Sequence, residues 1–458
     1  MNKFEVGIIG GGPGGYQAAD LAAGQGLSVV LFEKRALGGV CLNEGCIPTK
    51  TLLHSAKYYT QALNGEAYGV SVKEVSYDHA KVIARKDKVV KLLVAGINAK
   101  MKKQGVTVVA ASAFIKEKSA EGFIIEAADE LYCCDRLVIA SGSSSITPKI
   151  AGIEAGLAGG FVVSNREILD LTVPPARLIV IGGGVIGLEM AAYFTSIKVK
   201  TTVVEMLETI GGPLDKEIST LLYKELENRG VEFKMASQVT RINEDAVEVH
   251  NADGDFSIAG DLVLLAVGRK PNIYGFGLEN LNVYCERGAI VTDEYLQTNV
   301  PGLYAIGDVN GKSMLAHTAY REAEVAVNHI VGKKSVMRYE AIPGVIYTIP
   351  EVAAVGESEE SAKAKGLDFS VKKLSLRYAG RFLAENDKGD GLCKLLVENS
   401  SQRLLGVHLL GSYASEIIYG AALMIESHWP LEDLKEVVFP HPTVSEIIKE
   451  TLFSAGKE

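Results

Sequence analysis

Apolar runs that stop at glycines recur along this chain. Residues 4–9 (Phe-Glu-Val-Gly-Ile-Ile) end at Gly10-Gly11-Gly12-Pro13-Gly14-Gly15, and an alanine-rich stretch with helical spacing follows from Tyr16 to about Ala23. The pattern predicts a buried strand, a tight turn and a helix. Ser28 to Phe32 predicts a second strand, which ends in Glu33. Residues 178–206 repeat the unit, with Gly10, Gly12, Gly15, Ala19 and Glu33 falling on Gly182, Gly184, Gly187, Ala191 and Glu205. Between the two units, residues 52–104 have helical periodicity with lysines and arginines on the polar face, which predicts solvated helix surface. Residues 106–140 are rich in strand formers, and Leu137-Val-Ile-Ala-Ser-Gly142 predicts a strand ending on a small-residue turn.

Pro174-Pro175 predicts a linker into the second unit, whose last strand, Leu262 to Val267, runs into Gly268-Arg-Lys-Pro-Asn272. Residues 298–308 predict a strand with a terminal acid, Asp308, followed by a helix from about Leu315. From about Arg338 the pattern changes to strands at Val345–Ile349, Leu392–Val397 and Leu404–Leu410 with amphipathic helices, and it reads as an interface domain.

Each repeated unit carries G-x-G-x-x-G between strand and helix. Its first glycine allows the tight turn, its second the approach of a pyrophosphate to the helix N-terminus, and its third the packing of helix on strand. Glu33 and Glu205 stand at strand ends where a carboxylate can accept from both hydroxyls of a ribose. Two dinucleotide sites are therefore expected. Glu205 would repel a 2′-phosphate and no arginine follows closely, so the second site suits NAD over NADP. Asp308 is placed either to bind a polyol hydroxyl or to cap a turn, and the helix start near Ala316 can face an electron-rich carbonyl. The Ser141-Gly142 turn is either a cofactor contact or an ordinary turn.

Residues 38–50, Gly-Gly-Val-Cys-Leu-Asn-Glu-Gly-Cys-Ile-Pro-Thr-Lys, set Cys41 and Cys46 four residues apart in a glycine-bent backbone, with Lys50 at the start of a helix. The block reads either as a redox pair, favoured by the thiolate's stability at a helix N-terminus, or as two buried structural thiols. Cys133, Cys134, Cys285 and Cys393 lack partners at metal-ligand spacing and read as packing residues, and no metal site is expected.

Near the end, His441-Pro442-Thr443-Val444-Ser445-Glu446 has two readings. Thr443 and Glu446 satisfy T-x-x-E, a capping box for a helix over Glu446 to Phe453. Alternatively His441 is an acid/base whose tautomer is fixed by Glu446.

Composition narrows the class. The 458 residues suggest roughly three or four domains. The balance of 47 basic against 56 acidic residues, net -9, argues against sequence-independent nucleic-acid binding. The longest apolar run, Leu178 to Phe194, is broken by glycines and Glu189, against a membrane span. Met-Asn-Lys-Phe runs straight into the first strand, so the start reads as structural, and six cysteines in so long a chain point to a reducing compartment, by default the cytoplasm.

Together these blocks resemble the pyridine nucleotide-disulfide oxidoreductases, or flavoprotein disulfide reductases. The likeness covers essentially the whole chain and is closest to the members that oxidise dihydrolipoyl groups. It rests on Gly10–Gly15 with Glu33, the cysteine block, Gly182–Glu189, Gly307-Asp308, Leu315-Ala316-His317 and His441-Pro-Thr-x-Ser-Glu446.

The resemblance implies an α/β fold with two Rossmann-like FAD/NAD(P)-binding domains and a C-terminal α+β dimerisation domain. Residues 1–147 and 271–337 would bind FAD, 148–270 NAD, and 338–458 would pair two chains into a homodimer. It assigns catalysis to a Cys41–Cys46 disulfide, to His441 and Glu446 acting on the partner chain's cysteines, and to Lys50 and Glu189 beside the flavin. Cofactor contacts would come from Gly10, Gly12, Pro13, Gly14, Gly15, Glu33, Lys34, Gly39, Lys50, Ala113, Ser141, Gly142, Asp308, Leu315, Ala316 and His317 for FAD. For NAD they would come from Gly182, Gly184, Val185, Ile186, Gly187, Glu205, Val239 and Gly268. The implied reaction oxidises protein-bound dihydrolipoyl groups and reduces NAD. The lipoyl would be borne by the acyltransferase of a 2-oxo-acid dehydrogenase complex or by a glycine-cleavage carrier protein. The alternative is an NAD(P)H-dependent reductase of another disulfide, glutathione-like. Val40, Thr49 and Phe439-Pro440 depart from the usual family blocks, which carry Thr, Ser and His-Ala at those places.

Overall fold

In the computed structural model, which describes residues 1–454, the first apolar run becomes the strand Asn2–Ile9. It pairs in parallel with Val29–Phe32 on one side and Glu130–Ile139 on the other. The fold is α/β. The chain divides into two units, Met1–Thr51 with Ile83–Ile146 and Gly268–Arg338, and Leu52–Val82 with Thr147–Val267 and Tyr339–Glu458.

In the first unit a seven-stranded sheet runs Thr107–Val109, Val29–Phe32, Asn2–Ile9, Glu130–Ile139, Gly122–Ala127, Phe114–Ser119, with Leu303–Ala305 added in parallel to Glu130–Ile139. Only the short piece Leu303–Ala305 of the expected strand over 298–308 pairs in the sheet, because Val300-Pro301-Gly302 turns immediately before it. One side of the sheet packs Ile115, Phe123, Ile125, Leu137 and Leu303 into a core exposed by 0%.

The second unit holds a five-stranded parallel sheet, Val231–Lys234, Lys200–Val204, Arg177–Ile181, Leu262–Leu265, Val162–Val163, and a three-stranded antiparallel sheet over residues 238–259. It also holds a five-stranded antiparallel sheet, Gly344–Ile346, Glu351–Gly356, Leu404–Gly411, Leu392–Glu398, Phe369–Ser375. The helix Glu446–Phe453 covers that last sheet with Ile447, Ile448 and Leu452 in its core. Residues 455–458, the end of the expected interface domain, lie outside the described residues.

Two helices start earlier than the apolar spacing indicates. The first spans Pro13–Gly24 rather than starting at Tyr16, because proline suits the first helical position, where its missing N–H has no partner to lose. The second spans Cys46–Leu63, so Lys50 lies one turn inside it and does not open it. Residues 64–78 then interrupt the expected helical region before His79–Lys103 resumes it. Among the described residues, no helix is long and apolar enough to cross a membrane.

Candidate active site

The two glycine turns are built alike. Gly10 has φ +105°, and a Cβ there would sit 2.2 Å from the Ala140 carbonyl oxygen; one on Gly15 would sit 1.8 Å from the Gly10 oxygen. The fold itself excludes side chains at both positions. Gly12 differs, since a Cβ there would meet only Gly39 Cα at 3.8 Å. In the second turn Gly182, at φ +109°, and Gly187 are blocked by the Ala266 and Gly182 oxygens at 2.5 and 2.0 Å, whereas nothing lies within 4 Å of a Cβ on Gly184. In each turn the middle glycine leaves open space at a helix N-terminus, the opening of Pro13–Gly24 or of Val185–Ser196. That is the cradle a pyrophosphate fills, so the residues present fit a dinucleotide at both turns.

The acids match as well. Glu33 accepts from Gly11 N–H at 2.8 Å and from Arg35 N–H at 2.7 Å; Glu205 accepts from Gly183 N–H at 2.5 Å and from Leu207 N–H at 2.8 Å. Each carboxylate thus fixes its glycine turn and keeps further lone pairs for a ribose. Lys34 is exposed beside Glu33, and Val185 and Ile186 open the second helix. Val239 is buried in an apolar cluster of the second unit, and Ala113 in one of the first, so neither offers a side chain to a polar ligand. Gly268, at φ +113°, directly follows Val267, the last residue of this stretch of the second unit.

Cys41 and Cys46 form a disulfide with Cα atoms 4.7 Å apart. The bent loop expected between them is instead two helices: Cys41 lies inside Gly39–Glu44, Gly45 breaks the chain, and Cys46 is the first residue of the next helix. Free N–H groups at that helix start favour a Cys46 thiolate once the bond is reduced. The pair is tied to the first cradle. Gly38 N–H donates to the Gly11 carbonyl at 2.8 Å, and a Cβ on Gly39 would be 2.6 Å from Gly12 Cα. Asn43 holds the turn by donating to the Leu37 and Gly39 carbonyls.

On the same unit, Asp308 accepts a short hydrogen bond from Ser143 Oγ, and Arg269 donates to that hydroxyl at 2.8 Å and to the Ser143 carbonyl at 2.7 Å. Ser141 and Gly142 are stapled to Asn272, whose N–H donates to the Gly142 carbonyl at 2.9 Å. Leu315 precedes the helix Ala316–Ile330, on whose first turn His317 is exposed. Sequence reasoning missed Glu322: fully buried, it accepts from Gly307 N–H at 2.5 Å and Asn310 Nδ2 at 2.9 Å, and so shapes the turn that carries Asp308. The available signal was an acid among Ala319, Ala323 and Ala326 on the apolar face of its helix.

Glu446 makes one contact that each reading of its block calls for. Its Oε1 pairs with His441 Nδ1 at 2.9 Å and its Oε2 accepts from Thr443 N–H at 2.8 Å. Thr443 N–H and then His441 hold the Glu446 carboxyl below the usual carboxylate range. The capping box is incomplete, because Thr443 Oγ1 donates to the Pro440 carbonyl and the helix N-cap is Ser445. His441 itself is exposed, as an acid/base must be. Glu189 is buried and accepts from Tyr347 N–H at 3.0 Å. Among the described residues, no group of His, Cys, Asp and Glu is arranged to hold a metal ion. Cys133, Cys134 and Cys393 are buried, and burial pushes the Cys134 and Cys393 thiols up to about 12.

Residues 4–323 match the family model for pyridine nucleotide-disulphide oxidoreductases, and 342–452 match the dimerisation domain of the same family. The chain is 38% identical to mitochondrial dihydrolipoyl dehydrogenase of Pisum sativum, over 98% of this chain and 91% of that protein. It is 34% identical to dihydrolipoyl dehydrogenase of Mycoplasma pneumoniae, over 99% and 100%. Among solved structures, the HOCl-induced flavoprotein disulfide reductase RclA of Escherichia coli, as a Cu(II) complex, is similar with a TM-score of 0.87, 28% identity and 99% of each chain covered.

Proposed function

The chain belongs to the pyridine nucleotide-disulphide oxidoreductases, and from that premise we propose that it oxidises protein-bound dihydrolipoyl groups to lipoyl and reduces NAD, using FAD and the Cys41–Cys46 disulfide. One observation carries the reading: Cys46 opens a helix, and Gly38, which caps the preceding helix that holds Cys41, is hydrogen-bonded to Gly11 of the first dinucleotide cradle. Structural thiols need no such tether.

A dihydrolipoyl thiolate attacks Cys41 Sγ. The Cys41–Cys46 bond breaks, its electron pair stays on Cys46 Sγ, and the substrate is held as a mixed disulfide on Cys41. His441 takes the proton of the second substrate thiol at Nε2, since Nδ1 faces Glu446. That thiolate attacks the substrate sulfur of the mixed disulfide, the bond to Cys41 Sγ breaks, lipoyl is released, and the reduced pair is left with Cys46 as thiolate and one proton shared between Cys41 and His441. Gly10–Gly15, Glu33 and Asp308 would hold FAD, and Gly182–Gly187 with Glu205 would hold NAD. When bound, these cofactors supply the two-electron transfer that returns the dithiol to its disulfide and yields NADH. Lys50 and Glu189 are assigned to the flavin's surroundings.

Residues 1–147 and 271–337 form the flavin-binding part in this reading, 148–270 the NAD-binding part, and 338–458 the pairing domain. The exposed apolar residues Tyr419, Leu423 and Val438 suit a homodimer in which His441 and Glu446 serve the partner chain's cysteines. The lipoyl arrives on an acyltransferase of a 2-oxo-acid dehydrogenase complex or on a glycine-cleavage carrier, in the cytoplasm.

Thiol alkylation tests the redox role. Without reductant, Cys41 and Cys46 should resist alkylation in the native enzyme; after anaerobic addition of NADH both should be modified. Identical labelling with and without NADH would make this a flavin-binding scaffold.

A further inference from the structure

A buried lysine joins two parts of the second unit. Lys394, on the strand Leu392–Glu398, is 1% exposed, and its Nζ reaches Asp215 Oδ1 at 2.8 Å, Glu359 Oε1 at 2.6 Å and Glu217 Oε2 at 3.2 Å. Asp215, itself fully buried, caps the helix Lys216–Asn228 by accepting from Glu217 and Ile218 N–H. Burial opposes the charge on both, but the partners prevail, so Lys394 is held above its ordinary range and Asp215 below. Burial pushes His408, the cross-strand neighbour of Lys394, below the ordinary imidazole range.

A buried ion cluster is a poor source of stability compared with apolar packing, and its best-attested use is to fix one geometry. The geometry fixed here is the segment from Glu205 to Asp215. One end is Glu205, bonded to Gly183 and Leu207 N–H. Midway, Gly211 N–H donates to the Gly183 carbonyl at 2.8 Å, which lays the segment along the second glycine turn. Ile210 exchanges hydrogen bonds with Ser219 Oγ in the first turn of the helix that Asp215 caps. The far end is Asp215, on Lys394.

We propose that Lys394 is a positioning residue for the pyridine nucleotide: through Asp215 it holds residues 205–215 against the glycine turn, so that Glu205 meets the ribose. This deepens the function proposed above and rests on NAD binding at that turn.

The test compares wild type with Lys394→Met, which fills a similar volume, and with Asp215→Asn, which keeps a capping residue but removes the anion. NAD affinity is measured by equilibrium titration, and the rate of reduction of the enzyme by dihydrolipoamide is measured separately without NAD. Both variants are expected to lose about tenfold in NAD affinity, with the dithiol step within twofold of wild type; Lys394→Arg should recover most of the affinity. Unchanged NAD affinity in either folded variant, or equal loss in both half-reactions, overturns the proposal and leaves Lys394 as structural glue. If Lys394→Met does not fold, Asp215→Asn and Lys394→Arg decide it alone. A wild type that does not bind NAD would overturn the proposed function instead.

Discussion

The carboxylate of Glu446 is divided between His441 Nδ1, at 2.9 Å, and Thr443 N–H, at 2.8 Å. One oxygen therefore anchors the backbone across His441-Pro442 while the other orients the imidazole. This ties the position of the proposed acid/base, His441, to that of Glu446, and the two should not be separable by mutation.

His441→Gln should lower turnover of dihydrolipoamide by about a hundredfold or more, the usual scale for loss of a general acid/base. Glu446→Gln should lose about tenfold or more, since it disturbs the tautomer rather than the base. In the double variant the effects should fall well short of multiplying, because Glu446 acts through His441. Steady-state kinetics of the three variants check this; fully multiplicative losses would place Glu446 elsewhere in the reaction.

The glycine turns predict a split between folding and loading. Gly12→Ala and Gly184→Ala should fold, because a Cβ meets nothing closer than 3.8 Å in either place, yet each should lose affinity for its own nucleotide by about tenfold or more. Gly15→Ala and Gly187→Ala, whose Cβ atoms would sit 1.8 and 2.0 Å from carbonyl oxygens, should fail to fold normally. Flavin content and circular dichroism on the four variants separate the classes. A flavin-replete Gly12→Ala enzyme of normal affinity would remove FAD from the first turn.

Glu205→Ala removes the acid proposed to oppose a 2′-phosphate, and with it the acceptor for Gly183 N–H. KM for NAD should rise by about tenfold, and the preference for NAD over NADP should shrink in proportion. An unchanged preference ratio would mean that another group discriminates the two nucleotides.

Acid stability should report the Asp215–Lys394 pair. Asp215 has a depressed folded-state pKa, so its contribution is complete above the ordinary carboxylate range, about 3.9, and fades as pH falls through the folded value. Breaking one side of such a buried pair costs about 3–5 kcal/mol. The urea midpoint of Asp215→Asn should lie well below wild type at pH 7, and the gap should narrow toward pH 3. A gap independent of pH would mean that the carboxylate charge is not what stabilises.

The two strand–turn–helix units, with Glu33 and Glu205 at their strand ends, and the closeness of Cys41 to Cys46 were legible because each signal is local: a turn, a strand end and a helix lie within a few residues of one another. Helix starts were less so. Cys46 opens its helix without Ser, Thr, Asp or Asn at the cap, and T-x-x-E at Thr443 suggested a box that the Thr443 hydroxyl, turned to Pro440, does not complete. Lys394 was illegible for a different reason. In Leu392–Glu398 it reads as the polar position of a half-buried strand, and the carboxylates that allow its burial come from residues 215, 217 and 359. Glu322 likewise makes sense only once Gly307 and Asn310 are folded back onto its helix.

The most direct test of a dithiol relay in this chain is anaerobic titration of the flavin-loaded enzyme with dihydrolipoamide, followed spectroscopically and then by addition of NAD. A long-wavelength thiolate-to-flavin band that grows with dihydrolipoamide and disappears as NADH forms is the predicted result. A flavin that NADH reduces but dihydrolipoamide leaves untouched would contradict it, and would assign the Cys41–Cys46 disulfide to a different dithiol.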